Sequence, residues 1–563
     1  MICNIWVCGI GEEGCKLSKD SLVKGTLILT IAALVARALG VVQRVPLVHL
    51  LEDKGMAWYG IAFNLYSVLL VVATAGIPSA LSKMISERTA LGKHAEAERV
   101  YHAAVLFSLA AGVVMTAALY ALAPWSANLA GNPEALPAIR ALAPALLLFP
   151  LIAIMRGYFQ GRQNMLPNGL SQIIEQIFRV VASVALAYAL LGYGLESAAA
   201  GASFGGVVGS VAAVVVMIYF ARKLRRKDKQ EGIARDGGES RITYRTIYGQ
   251  LFRLSIPIVI FSITVTLIYT IDSTIVTPLL EGRAGHAEAV EMLGILTGRA
   301  QSLAGIPIIL AVALSQSVVP IVSGAYSRGD LAQVSQQTGR VLQLSVLSGL
   351  PMVLVICAAA RPLNGFIFGA GTPVVIQYAA PIITLLTASA MFQIVMQTSG
   401  AVLMGVGRMK PLVASVAAGI AVKLLASFLL APVLGIYGII VATGLCFIVM
   451  TIWNLYVLKQ TVKFRVLGSR WWGLLGSTAV IALLGWGIER LNAAYINPFA
   501  NAVLNNLLQS VIACAILTAA YPLLLMATRT VTMEDVQHMP APIRKLVGKI
   551  AGRLPKRGQG QRG

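Results

Sequence analysis

Apolar residues in this chain run in long unbroken blocks separated by short polar stretches. A helix of about 20 apolar residues crosses a ~30 Å hydrocarbon layer, so each block predicts one membrane span. Reading forward gives fourteen, at 22–47, 57–84, 99–122, 138–158, 168–191, 197–220, 249–276, 291–322, 336–357, 374–403, 411–432, 435–458, 471–489 and 505–527. The expected fold class is an all-α integral membrane protein of about fourteen transmembrane helices. An even count puts both ends of the chain on one side.

The pattern repeats. A shift of 244 aligns 161–198 with 405–442 and pairs Pro167 with Pro411, Ser171 with Ser415, Ser183 with Ser427 and Ala187 with Ala431. A shift of 237 sets Ala143-Pro144 on Ala380-Pro381 and Ser86…Gly92 on Ser323…Gly329. Spans 1–6 and 7–12 therefore read as two copies of one six-helix unit. Six crossings preserve orientation, so the repeats are parallel, and transporters built this way bind substrate between their halves. The expected organisation is a leader at 1–20, a first lobe at 21–220, a basic linker at 221–248, a second lobe at 249–458, spans 13 and 14 within 459–527, and a basic tail at 528–563. Residues 1–16 read as an irregular leader ahead of the structured chain.

Composition agrees with this reading and narrows it. Of 563 residues, 57% are hydrophobic and 12% charged, with a mean hydropathy of +0.78, against about a quarter charged in soluble domains. A water-soluble enzyme is excluded. The net charge of +22 would suggest nucleic acid in a soluble protein, but here most basic residues lie in loops, where they set topology. No nucleic-acid partner is expected. Thirty-five of the 45 Lys and Arg residues fall on one side, against five (Lys54, Arg140, Arg283, Arg361 and Arg490) on the other. By the positive-inside rule the basic side is cytoplasmic, and both termini with it. The tail alternates Ile543, Leu546, Val547 and Ile550 with Arg544, Lys545, Lys549 and Arg553, a pattern suited to a helix lying on anionic phospholipid.

The remaining five cations, assigned to neither side, fall inside spans: Arg37, Arg44, Arg179, Arg299 and Lys423. A charge at the bilayer centre costs at least ~2.5–3.5 kcal/mol, so it normally faces a cavity or a partner. Arg37 and Arg44 are two helical turns apart on one face of span 1, which contains no acid. Paired guanidinium groups suit an anionic ligand, a diphosphate above all, because they grip its oxygens bidentately. Arg299 and Lys423 are expected to line the same cavity from the second half. Arg179 has Glu175 one turn earlier, an i,i+4 pair that reads as a structural salt bridge. Asp272 is an acid well inside the second half, available as a partner for a cation or as a carrier of a coupling proton. No phosphate loop of the form G-x-x-x-x-G-K-[ST] occurs, and neither His nor Cys clusters at metal-binding spacing. No catalytic residue, metal or cofactor is expected, and the chain reads as a non-enzyme.

Several segments in order carry a family resemblance: Val35–Gly40, Thr74–Pro78 running to Ser82-Lys83, Gly298–Leu303, and Val319–Ser323 with Arg328-Gly-Asp330. With the 6+6+2 plan, the chain resembles the MurJ-type lipid II flippases and the stage V sporulation protein B group of the multidrug/oligosaccharidyl-lipid/polysaccharide exporter superfamily. The resemblance implies export of an undecaprenyl-diphosphate-linked cell-wall precursor across a bacterial cytoplasmic membrane. It also implies a cationic central cavity with Arg37 and Arg299 in it, a lipid-facing groove at spans 13 and 14, and association with cell-wall synthesis machinery. A drug/cation antiporter of the same superfamily is one alternative, although it calls for acids in span 1. A non-transporting scaffold is the other, and it would not need buried arginines.

Overall fold

The computed structural model describes residues 12–230, 242–369, 371–464, 466, 468–495, 498–499, 501–528 and 530. The tail helix expected on anionic phospholipid and most of the expected leader lie outside the described residues. Thirteen helices among them are long and apolar enough to cross a membrane, the first running 60 residues from Ile31 to Ala90. That helix cannot be straight. Arg44 stands 5.9 Å from the Phe63 ring, whereas a continuous helix would separate them by about 28 Å. The chain reverses at Glu52, which leaves helical geometry at φ 52° and ψ −173°, and the helix supplies two crossings. The total is fourteen.

We number them α1 (12–51), α2 (53–74, continued after a bend at Gly76 by Ile77–Ala90), α3 (His94–Leu129), α4 (Pro133–Gly161), α5 (Leu166–Leu190), α6 (Leu195–Gln230), α7 (Tyr244–Ala284), α8 (286–327), α9 (Leu331–Ala358), α10 (Pro373–Gly405), α11 (Met409–Leu434), α12 (Ile436–Thr461), α13 (Trp471–Tyr495) and α14 (Ala502–Ala527). A short helix, Ala360–Ile367, follows α9. Helix α1 begins at Glu12, inside the stretch expected to be irregular.

The duplication recurs in the backbone. Helix α2 ends with Lys93 N–H donating to the Arg88 carbonyl (2.9 Å), and α8 with Asp330 N–H donating to Ala325 (3.1 Å). A shift of 237 carries the first bond onto the second. Helix α4 ends with Asn164 N–H on Phe159 (2.9 Å), and α10 with Arg408 N–H on Leu403 (3.0 Å). Here the shift is 244, as in the sequence. Each such bond closes a helix through a left-handed residue. These residues are Gly92 and Gly329 in one pair, Gln163 and Gly407 in the other, with φ of 74°, 75°, 57° and 78°. The paired serines Ser171, Ser415, Ser183 and Ser427 are all completely buried, on α5 against α6 and on α11 against α12. Helices α13 and α14 lie outside the repeat. They pack on each other and on α9 through Val346, Leu347, Leu474, Ile481, Leu517 and Tyr521.

Candidate functional site

Helices α1 and α2 from the first half, α5 beside them, and α8 from the second half enclose a cavity of 320 Å³. Arg37, Arg44 and Arg179 line it, with Gln43, Gln176, Gln301 and Ser302 between them. Positions 37 and 44 share a face because their spacing is close to two full turns. Gly40 between them faces α5, where a Cβ would stand 3.4 Å from Gln176 Nε2, an ordinary contact distance. Arg37 also borders a second hollow of 330 Å³, lined by Phe261, Ser262, Thr264, Val319, Gln397 and Met404 of the second half. That hollow extends the cavity toward the basic face of the molecule.

Charge in the cavity comes almost wholly from the first half. Arg179 Nη2 donates to Glu175 Oε1 (2.7 Å), and the other oxygen of Glu175 accepts from Arg156 Nη2 at 2.8 Å. Arg156 also donates to Ser171 Oγ (2.9 Å). One carboxylate thus serves two arginines, and the cluster keeps an excess positive charge beside Arg37 and Arg44. From sequence Arg156 counts only as a residue at the basic end of α4. Its partner stands on the next helix, so spacing along α4 gives no sign of it.

Beyond Arg44 the halves close on each other. Arg44 Nη1 donates to the Thr297 carbonyl, and Thr297 Oγ1 donates to Leu293 O at 2.9 Å. Asn64 donates to Ser273 Oγ (2.6 Å), Thr270 to Asn64 O (3.0 Å) and Asn132 to Thr277 Oγ1 (3.0 Å). The tightest approach is at Gly294, where a Cβ would lie 1.7 Å from the Asp53 carbonyl oxygen. Only glycine fits there.

Arg299, expected in the cavity, belongs to this seal instead. Its guanidinium makes a bidentate pair with Asp53 at 2.7 and 2.8 Å, with further bonds to Asn364 Oδ1 and Gly369 O, both 3.2 Å. Arg299 is 3% exposed and Asp53 4%, and the Phe368 ring covers the arginine at 5.8 Å. The cavity side chain Gln301 is two positions further on, about 200° around the helix, so Arg299 faces away from the cavity. Arg299 lies in a π-helical turn, Ile295–Ala300, a local expansion found often where helices carry function.

Lys423 is likewise absent from the cavity lining. It is fully buried, and its three ammonium protons are taken up by an Asp272 carboxylate oxygen, Ile439 O (2.9 Å) and Thr443 Oγ1 (2.7 Å). Asp272 and Lys423 thus form a closed interhelical pair joining α7, α11 and α12. Removing one member of a buried pair costs ~3–5 kcal/mol because the other charge is left uncompensated. Lys423→Ala is therefore expected to lower the thermal midpoint of the purified protein strongly. The double variant Lys423→Met with Asp272→Asn should recover most of the loss, and equal losses in both would contradict the pairing. Among the described residues no group of His, Cys, Asp and Glu is placed to hold a metal.

The family model for polysaccharide biosynthesis proteins matches residues 22–326, more than half of the sequence. The chain belongs to that family. This polysaccharide biosynthesis family member is 27% identical over 489 residues to the lipid II flippase MurJ of Bacillus subtilis strain 168, covering 82% of this chain and 88% of that protein. It is 27% identical over 531 residues to stage V sporulation protein B of the same organism, covering 93% and 98%. Its fold matches a solved inward-closed structure of the lipid II flippase MurJ with a TM-score of 0.60 at 15% identity, over 89% of this chain and all of that one. An inward-facing multidrug-resistance MATE transporter of the MOP superfamily matches with a TM-score of 0.59 at 14% identity, over 78% and 98%. With fourteen crossings, the chain is a multi-pass membrane protein.

Proposed function

We propose that this protein flips a polyprenyl-diphosphate-linked cell-wall precursor, lipid II foremost, from the inner to the outer leaflet of a bacterial cytoplasmic membrane. In this reading the basic face and both termini are cytoplasmic, and the cavity alternates between the two sides. The observation that carries it is the cluster of Arg37, Arg44 and Arg179 on one cavity, with Glu175 as the acid at its edge. Moving a diphosphate through hydrocarbon requires groups that replace its water, and guanidinium groups do so bidentately. The names and fold of the relatives agree with such a substrate. A drug/cation antiporter is disfavoured by the same lining, because a cationic ligand would meet uncompensated arginines.

Depletion of the protein in cells without a redundant flippase is expected to reduce exposure of lipid II to an external probe. Unchanged exposure would refute the reading. The sequence carries no nucleotide loop, so the drive is assigned to the membrane potential or an ion gradient. One charge moved through 100 mV gains about 2.3 kcal/mol, which is enough to bias a two-state rocking equilibrium. Flipping in proteoliposomes should accordingly slow when potential and ion gradients are both collapsed; an unchanged rate contradicts this drive.

A further inference from the structure

Three carboxamides, Gln43 on α1, Gln176 on α5 and Gln301 on α8, stand among the arginines of the cavity. Gln43 is 4% exposed. Its Nε2 is buried, with the Tyr59 hydroxyl as a hydrogen-bond partner at less than ideal geometry. Nε2 of Gln301 is buried with no hydrogen-bond partner. A buried donor left unsatisfied costs ~1–3 kcal/mol, so a sequence that keeps Gln301 in that state, beside a weakly held Gln43 on one small cavity, is holding it for a ligand. The chemistry of the group restricts that ligand. A carboxamide both donates and accepts, whereas the oxygens of an ionised diphosphate only accept. A bare diphosphate would use only their donors and leave three carboxamide oxygens without a partner, and arginine or lysine would serve it better. Ser302, also on the lining, is another group that donates and accepts.

We propose that Gln43, Gln176 and Gln301 read the sugar joined to the diphosphate, through its hydroxyl and acylamino groups, while Arg37, Arg44 and Arg179 hold the phosphates. The proposal rests on the flippase reading and deepens it. The cavity then discriminates between glycosylated and sugar-free polyprenyl diphosphates, so that the spent carrier is not exported in place of the loaded one. The division of labour follows position. Gln43 is the chain neighbour of Arg44, and Gln176 lies one turn from Arg179. Gln301 faces them from the other half, so the sugar bridges the two halves.

The test compares two probes on the full-length protein in nanodiscs: undecaprenyl diphosphate, and undecaprenyl diphosphate carrying one N-acetylated amino sugar. The wild type is expected to bind the glycosylated lipid at least about tenfold more tightly, the effect of one or two hydrogen bonds recovered from buried donors. Gln43→Leu and Gln301→Leu should each cut that preference severalfold while affinity for the sugar-free lipid stays within about twofold. Arg37→Ala should weaken both lipids together. Equal wild-type affinities, or leucine variants that weaken both lipids in proportion, overturn the assignment. That wild-type comparison decides even if a leucine variant fails to fold. Binding of neither lipid by the wild type overturns the flippase reading itself.

Discussion

Arg37→Ala is expected to abolish flipping at normal protein levels, and Arg37→Lys to restore only a part of it. Arg37 borders both hollows, and no carboxylate among the described residues pairs with it. Its charge is therefore free to meet the ligand. Alanine removes that charge and the five-donor fork together. Lysine returns the charge but not the planar bidentate contact, and charge-assisted bonds of this kind contribute about 1.5–3 kcal/mol each. Loss of two such bonds corresponds to a fall of about two to four orders of magnitude in affinity. The protein should remain folded, because Arg37 closes no buried pair. The measurement is complementation of a flippase-depleted strain, with thermal unfolding of the purified variant as control. Full complementation by Arg37→Ala contradicts the cavity assignment. Arg44→Ala should weaken function through two routes at once, since Arg44 lines the cavity and also donates to Thr297 of the seal.

The helices are legible in the sequence because hydrocarbon thickness fixes their length and leaves each span one uninterrupted apolar block. All fourteen expected spans overlap an observed crossing, and the duplicated turns are marked by residues such as Gly92 and Gly329 that the left-handed backbone favours. The reversal between spans 1 and 2 is marked by the polar stretch Glu52-Asp53-Lys54; that it pivots on Glu52 alone is hidden, since a glutamate at positive φ is not a turn signal. The site is only partly legible. Arg37 and Arg44 announce themselves by spacing on one helix, and Glu175 with Arg179 by an i,i+4 register. Arg299 and Lys423 leave the cavity for one common reason. Their partners, Asp53 and Asp272, lie far away in the chain, and which face of a helix meets which neighbour is decided by packing. A cation without an acid on its own helix looks unpaired from sequence whether it faces a ligand or another helix. Asp53 itself reads from sequence as an ordinary loop acid near the end of span 1.

Breaking the Asp53–Arg299 pair should open the seal. The pair joins the corner between α1 and α2 to α8, on the face opposite the basic loops, and the Arg44–Thr297, Asn64–Ser273, Thr270–Asn64 and Asn132–Thr277 contacts hold the halves together on that side. Arg299→Ala leaves Asp53 buried and charged, at ~3–5 kcal/mol for a buried pair with one partner removed. That cost falls on the sealed state, because an opened state admits water to the carboxylate. The equilibrium therefore shifts toward the form open at that face, by about tenfold for each 1.4 kcal/mol. Gln301→Cys in a cysteine-free background gives a reporter on the cavity, probed by a membrane-impermeant maleimide from the cell exterior in the proposed orientation. Labelling should be slow with the pair intact and at least about tenfold faster with Arg299→Ala or Asp53→Ala. Transport should fall in Arg299→Ala and Asp53→Ala with Gln301 left intact, since a protein held open at one face cannot complete the cycle. Exchange of the two residues, Asp53→Arg with Arg299→Asp, should restore part of the protection, because the charges remain paired while Asn364 and Gly369 lose their donor. A double variant of alanines should label more slowly than either single one, as no charge is then left unpaired. Labelling that stays at the wild-type rate in a folded Arg299→Ala variant would show that the seal is held by the Thr297 and Ser273 contacts, with the ion pair a bystander.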